Sequence, residues 1–528
     1  MGRDWITPEA GRRLAELSAE LHRQVGLLIG RDGRVTHVIL GDARGLTIPR
    51  LARDRTGPAR LRGLRLVHTH LAGEPLSRDD LADLALLRLD LMAAITLTPE
   101  GLPDRVHLAH LDAAAEAEAG PPVALLPPAR FHELTLDAAA LAAEVEQALA
   151  RRARAQAVAG GEAALLVGCF PPRAAAEAAM EELAALCRAC GLTPLERVVQ
   201  RRPQPDPRTV LGRGKMVEVV TAALHRGATT LVFHGDLTPA QAKAVTALSD
   251  LKVLDRTQVI LDIFARRAGT REAKLRVELA QLTYLKPRLV GLFPQLSRLG
   301  GGIGTRGPGE TKLEVDRRRI DGRIAQLHRQ LEALAQGERL RRRRRRRAHL
   351  PVVSIVGYTN AGKTTLLNRL TGSRLEAADR PFATLDTASR RLRFPEEREV
   401  LLTDTVGFIR DLPPALVGAF RATLAELAEA DLLLHVVDVS DPEFRRHMEA
   451  VEQLLEELGC AAVPRLLVFN KVDRLEPGRA ARLAAAWGAV ACSALDRATL
   501  RPVARAIEAA LFRRPEARPA ARGLAARA

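Results

Sequence analysis

The chain has 528 residues, a net charge of +17 and a pI near 10.6. That length allows roughly three domains with cores of their own, and the charge points to a nucleic acid or another large polyanion as partner. No uncharged stretch reaches membrane-spanning length, the N-terminus lacks a signal-peptide core, and the five cysteines have no disulfide-like spacing, so a soluble, cytoplasmic protein is expected.

Leu27–Gly30 and Val35–Gly41 read as the strands of a hairpin, with Arg31-Asp-Gly-Arg34 as its turn. Further on, Val67-His68-Thr-His70 and Ser77-Arg-Asp-Asp80 place two imidazoles and a carboxylate in one short stretch. His-x-His followed by Ser-x-x-Asp resembles the zinc-site signature of JAMM-type metallopeptidases, which makes His68, His70 and Asp80 candidate zinc ligands with Ser77 close by. Two departures stand out. The step from His70 to Ser77 is one residue shorter than in that family, and Gln24 stands where the family has a general-base glutamate. An amide cannot take a proton from zinc-bound water. A degenerate, non-catalytic α/β module over residues 1–155 is therefore expected.

Residues 160–256 read as a small α/β domain. Ala164–Gly168, Glu196–Val199 and Thr230–Phe233 are strand-like, with helical patterns of matching length between them, as in a parallel sheet. Cys187 and Cys190 form a C-x-x-C inside a helical pattern with no second pair nearby, so helix core is the expectation there. Residues 257–349 change period. Val259 to Leu285 reads as one long helix, and Ile320, Ile324, Leu327, Leu331 and Leu334 mark a second with coiled-coil spacing, so the two are expected to pair antiparallel. Between them, Arg298 to Gly309 has six glycines in its last ten residues. It reads either as a probe on a helical stalk, offering N–H groups with Arg298, Arg306 and Lys312 to RNA phosphates, or as a solvated linker. Arg341 to Arg347 is an unbroken arginine run, expected as an interdomain linker that favours phosphate backbones non-specifically.

Five segments between Gly357 and Ala494 follow the order of a guanine-nucleotide pocket, over residues 350–512. Gly357-Tyr-Thr-Asn360-Ala361-Gly362-Lys363-Thr364-Thr365 matches G-x-x-x-x-G-K-[ST], after the apolar run Val352–Val356 and before a helical pattern. Its glycines turn backbone N–H groups toward a phosphate chain. Lys363 would reach the β- and γ-phosphates, and Thr364 would place its hydroxyl on Mg²⁺. Thr384 would close over the ion as a switch residue. Asp404-Thr-Val-Gly407 follows an apolar strand; Asp404 would hold the magnesium shell and the Gly407 N–H the γ-phosphate. In Asn470-Lys471-Val-Asp473, the Asp473 carboxylate can accept from the guanine N1–H and exocyclic amine, which adenine cannot supply. Ser493-Ala494 would offer a backbone N–H to the guanine oxygen. Only eight lysines remain in the chain, and two of them are Lys363 and Lys471. Arginine does not easily replace a compact ammonium between phosphates.

Asp255 to Leu282, the loop ending Gly307-Pro-Gly-Glu-Thr-Lys-Leu, and Gly357-Tyr-Thr-Asn-Ala-Gly-Lys together resemble the HflX family of ribosome-associated GTPases, over roughly Glu162 to Ala510. Leu211-Gly-Arg-Gly-Lys215 resembles that family's glycine-lysine segment. The resemblance implies an α/β domain, a helical hairpin and a GTPase domain. It also implies GTP and GDP as ligands, the large ribosomal subunit and its rRNA as partner, and ribosome splitting or rescue as the task. A monomer is expected. The alternative is an RNA-binding GTPase acting as a checkpoint in ribosome assembly or RNA modification, but no RNA-reading module follows residue 494, and the tail from 513 to 528 reads as disordered. Phe408 follows Gly407 where many GTPases carry a water-orienting glutamine, so slow intrinsic hydrolysis, with a partner ordering the switch segments, is expected.

Overall fold

Three β-sheets organise the described residues. The computed structural model describes residues 5–49, 51, 60–112, 123–157, 162–172, 175–249, 251–288, 312–347, 350–373, 382, 388–394, 398–405, 407–408, 416, 418 and 427–512. The glycine-rich segment 298–309, Thr384 and the tail 513–528 lie outside the described residues. Contacts divide the chain into two compact units, residues 1–259 with 290–296, and residues 260–289 with 297–528.

The first unit opens with α1 (Pro8–Leu21), whose start is set by Thr7: its hydroxyl accepts the Ala10 N–H, and Pro8 takes the first helical position. The strands are β1 (Val25–Gly30), β2 (Val35–Leu40), β3 (Leu64–His70), β4 (Leu91–Leu97), β5 (Pro103–Leu111) and β6 (Val123–Arg130), in the order β2-β1-β3-β4-β5-β6. The β1–β2 hairpin matches the sequence expectation. Among the described strands of this sheet only β3 and β4 pair in parallel, and α2 (Arg78–Leu87) provides the crossover that a parallel pair needs. Because β4 is covered on both faces, its residues are buried from Leu91 to Thr96. One face packs on Leu14 and Phe131, the other on Leu84 and Val145 of α2 and α3 (Ala138–Ala157).

The same unit holds a four-stranded, wholly parallel sheet: β7 (Glu162–Phe170), β8 (Leu192–Arg201), β9 (Thr230–Phe233) and β10 (Lys252–Asp255), in the order β10-β9-β7-β8. The strand β10 is one the periodicity does not reveal, being four residues long with a lysine at its head. Between the strands lie α4 (Ala176–Ala189), α5 (Arg213–Arg226) and α6 (Pro239–Ser249). Cys187 and Cys190 are buried free thiols at the end of α4, and burial pushes the Cys187 thiol up to about 12. Ala82 and Leu86 of α2 join the core around α5, and Arg213 reaches Asp83 at 2.9 Å.

The expected single helix from Val259 to Leu285 is two helices, α7 (Arg256–Arg267) and α8 (Arg271–Leu285). The break falls at Ala268-Gly269, and Thr270 restarts the chain by accepting the Ala273 N–H at 3.1 Å. The second stalk helix is α9 (Lys312–Arg347). It continues through the arginine run expected as a linker, because arginine is a good helix former and an established helix extends cheaply. Leu275 and Leu279 of α8 pack on the fully buried Leu327 of α9, with Leu282, Ile324, Leu331 and Leu334 alongside. Arg323 clamps Glu278 through two nitrogens, at 2.6 and 2.8 Å, and Lys286 meets Asp321 at 2.5 Å. As residue numbers rise on one helix they fall on the other, which is the expected antiparallel pairing.

The third sheet comprises β11 (Val352–Val356), β12 (Ala388–Arg393), β13 (Glu399–Asp404), β14 (Leu432–Asp438), β15 (Arg465–Asn470) and β16 (Val490–Ala491). Its order is β12-β13-β11-β14-β15-β16, parallel except at the edge strand β12. Helices α10 (Lys363–Thr371), α11 (Phe444–Glu457), α12 (Arg479–Trp487) and α13 (Leu500–Phe512) accompany it. The chain leaves β11 toward one side and later returns to the other, so the carboxyl end of β11 is the crevice where α/β sheets bind ligands. No described helix is long and apolar enough to cross a membrane.

Truncating Leu327 to alanine should cost the hairpin about 2–5 kcal/mol. Hydrogen exchange of the α8 amides is expected to accelerate in L327A, while the β11–β15 amides keep their protection.

Candidate nucleotide-binding site

The loop leaving β11 can form only with glycine at its two ends. Gly357 has φ +153°, and a Cβ there would stand 2.2 Å from the Val436 carbonyl oxygen of β14. Gly362 has φ +89°, and a Cβ there would meet Asn470 Nδ2 at 2.3 Å. Between them Asn360 adopts φ +64°, the left-handed region that asparagine tolerates best among larger residues. Helix α10 then begins at Lys363 with no side-chain cap, leaving its first-turn N–H groups for a ligand; Thr365 is half-buried in that turn.

Lys363 is 7% exposed, and its Nζ donates to the carbonyls of Gly357 at 3.1 Å and Tyr358 at 2.8 Å. Burial pushes its pKa down to about 8, with nearby Asp404 opposing and Lys471 adding to the fall. Gly407 lies against this ammonium, since a Cβ there would be 3.1 Å from Nζ. Thr364 Oγ1 donates to Asp404 Oδ2 at 2.7 Å, deep in the site. One hydroxyl and one carboxylate, side by side at the helix start, are the oxygen donors that suit Mg²⁺.

The loop is laced to the segment after β13. Thr359 N–H donates to the Phe408 carbonyl at 2.7 Å, and Phe408 N–H donates to the Gly357 carbonyl at 3.1 Å. The Phe408 ring is 1% exposed and belongs to the interior. Thr384 is not among the described residues, but Phe382, two residues earlier, is. Phe382 is buried at φ +56°, its ring 4.8 Å from Phe264 of α7, and its carbonyl accepts from Arg267 Nη1 at 3.1 Å. Sequence reasoning missed this contact, because no short-range pattern connects residues 115 positions apart.

On the far side Asn470 ends β15 and holds two loops together. Its Nδ2 donates to the Ala361 carbonyl at 2.8 Å, and its Oδ1 accepts the Ala494 N–H at 2.9 Å. The Ala494 N–H, expected to face a guanine oxygen, is thus engaged by Asn470, and the Ser493 N–H by Thr499 Oγ1 at 2.9 Å. Lys471 adopts φ +62° and pairs with Asp438 at 2.7 Å, while Asp473 stands exposed on the following turn. Another missed residue is His435 of β14, which is buried and bonded to Glu452 at 3.2 Å. Its pKa is pushed down to about 4 by burial, with Arg465 and Lys363 adding to the effect.

In the first unit the structure also brings together the three residues singled out for zinc. One ligand atom each from His68, His70 and Asp80 lies within 4.8 Å of the others.

A sheet whose switch point carries a glycine loop, a buried lysine and an Asn-Lys-x-Asp wall defines a P-loop GTPase. Three family models match the chain in succession: "GTP-binding GTPase N-terminal" over residues 177–265, "GTP-binding GTPase Middle Region" over 267–345 and "50S ribosome-binding GTPase" over 352–471. The GTPase HflX of Caldanaerobacter subterraneus is 49% identical over 300 residues, which are 57% of this chain and 70% of that protein. GTPase HflX of Escherichia coli is 46% identical over 316 residues, 60% and 74% of the two chains. A GDP-bound GTP-binding protein of Sulfolobus solfataricus is 24% identical, covering 65% of this chain and 99% of its own, with a TM-score of 0.37. The chain belongs to the HflX family of GTPases, and GTP hydrolysis is its activity.

Two outcomes follow from the loop. Gly362→Ala forces a strained backbone of about 1–3 kcal/mol and a clash with Asn470, so GDP affinity should fall at least about tenfold in a fluorescent-nucleotide titration, with the circular dichroism spectrum unchanged. Phosphate binding needs the ammonium form of Lys363. Above its pKa, binding must therefore take up a proton, and affinity should fall by about tenfold per pH unit beyond 8 while staying flat below 7, as titrations at constant ionic strength would show.

Proposed function

We propose that this GTPase is a factor for the large ribosomal subunit, whose nucleotide state sets its hold on that subunit and whose task is to dissociate or rescue stalled or hibernating ribosomes. The observation that carries the reading is the match of residues 352–471 to a model described as "50S ribosome-binding GTPase". The charge of +17 and the two-helix stalk support it, since ribosomal RNA is the large polyanion a basic surface would meet. In this reading residues 1–155, 160–256, 257–349 and 350–512 are the successive domains of a cytoplasmic monomer.

Within the pocket, Lys363 takes the β- and γ-phosphates and the Gly407 N–H takes the γ-phosphate. Gly357, Asn360, Ala361, Gly362 and Thr365 frame the phosphate chain. Thr364 and Asp404 would hold Mg²⁺, with Thr384 as a further oxygen ligand, and the ion would neutralise charge on the phosphate oxygens. Asn470, Lys471, Asp473, Ser493 and Ala494 receive the guanine, and Ala494 exchanges its bond to Asn470 for one to the base. The buried Phe408 ring orients no water, so hydrolysis waits for the ribosome to order the segment around Thr384. The contact of Phe382 with Phe264 and Arg267 supports the route: a load on the helices reaches the switch through α7.

Steady-state GTP hydrolysis, measured alone and with purified large subunits at fixed salt, tests this. Stimulation of about tenfold or more is expected, lost in Lys363→Ala. Retained GTP binding without stimulation would sink the ribosome reading and favour an RNA checkpoint role. Arg267→Ala should lower the stimulation several-fold while leaving GDP affinity in place.

A further inference from the structure

We propose that the first unit holds a zinc ion between His68, His70 and Asp80, clamping helix α2 to strand β3. Alternate residues on a strand share a face, so His68 and His70 of β3 point the same way. Their Nε2 atoms are 2.9 Å apart, and each lies 3.5 Å from a carboxylate oxygen of Asp80. Ligand atoms about 2.0–2.2 Å from a tetrahedral zinc stand about 3.3–3.6 Å from one another. Each ring thus faces its own oxygen of the Asp80 carboxylate, Oδ1 for His68 and Oδ2 for His70, and the cluster approaches the size of a zinc face once the two rings open slightly.

The surrounding bonds orient two of the three ligands, His70 and Asp80. The Glu74 carbonyl can only accept, so His70 Nδ1 carries the proton it donates there at 2.9 Å, and Nε2 is left with a lone pair. Asp80 is held by a reciprocal cap: Ser77 N–H and Oγ each donate to its Oδ2 at 2.7 Å, and Asp80 N–H donates to Ser77 Oγ. Oδ1 remains turned toward His68. A proton on His68 Nε2 can bridge only one pair of the cluster at a time. A cation at the centre satisfies all three lone pairs together. Two imidazoles with one carboxylate favour zinc over the oxygen-seeking Mg²⁺ and Ca²⁺.

The sheet also makes room for the site. Gly26 of β1 pairs opposite His68, and a Cβ there would come within 3.3 Å of the His68 Cβ and 2.9 Å of Leu46. Gln24, buried just before β1, carries an amide with no basic oxygen to draw a proton from zinc-bound water. The metal is held rather than used for hydrolysis. Because Asp80 sits on α2, whose Ala82, Asp83 and Leu86 pack on or pair with α5, the ion ties the first sheet to the helix that meets the second.

Metal analysis of the full-length chain, purified without chelator from zinc-replete cells, should find about one zinc per chain. His70→Ala and the near-isosteric Asp80→Asn should each lose it, whereas Cys187→Ala should retain it. Cobalt substitution should give a visible ligand-field band in the wild type that is absent from Asp80→Asn, whose circular dichroism reports on folding. A wild-type chain without zinc that also takes up no cobalt, or zinc undiminished in Asp80→Asn and His70→Ala, would overturn the assignment.

Discussion

A positive charge has been carried into the interior at Lys363, and the GTPase sheet is arranged around that fact. Removing an ammonium from water is costly unless something replaces the lost hydration, and here two carbonyls of its own loop do so. To bring those carbonyls round, the chain must pass through backbone angles closed to side-chain-bearing residues at Gly357 and Gly362, within reach of Val436 and Asn470. Gly407 also lies near, where a Cβ would stand 3.1 Å from the ammonium. The loop thus depends on β14 on one flank, β15 on the other and the segment after β13 above it, which is why the site exists only at the switch point of a correctly ordered sheet. A buried cation whose contacts are neutral dipoles is poised for an anion.

Much of this was legible in the residues themselves. A glycine loop between an apolar run and a helical pattern has one structural meaning, and the structure places it between β11 and α10. The leucine spacing of the stalk likewise settled its pairing. What escaped was set by non-local contacts. Nothing near residue 494 announces that Asn470 will take its N–H. The lysine at the head of β10 and the polar, arginine-rich edge strand β12 hide strands that exist because a neighbouring strand pairs with them. The break at Ala268-Gly269 is written in the glycine and the following threonine, but the apolar stripe on either side of it masks the interruption.

The first unit repeats the lesson in a smaller space. His-x-His on a strand is a local pattern and predicts a shared face. The return of Asp80 to that face, however, depends on Ser77 capping α2 and on the parallel crossover from β3 to β4. A motif one residue shorter than its model still converges because the helix cap, not the loop length, fixes where the carboxylate sits.

Helix α9 has a mechanical consequence. Its 36 residues span about 54 Å, and it ends at Arg347, just short of Val352, where β11 begins. A force applied to such a stalk would be delivered by the helix to a point only a few residues along the chain from the strand bearing the phosphate loop. Transmission of that kind depends on unbroken helical hydrogen bonding rather than on guanidinium chemistry. A lysine run, with similar helix propensity, would carry torque as well as the arginines do, whereas one proline among them would disconnect the two ends.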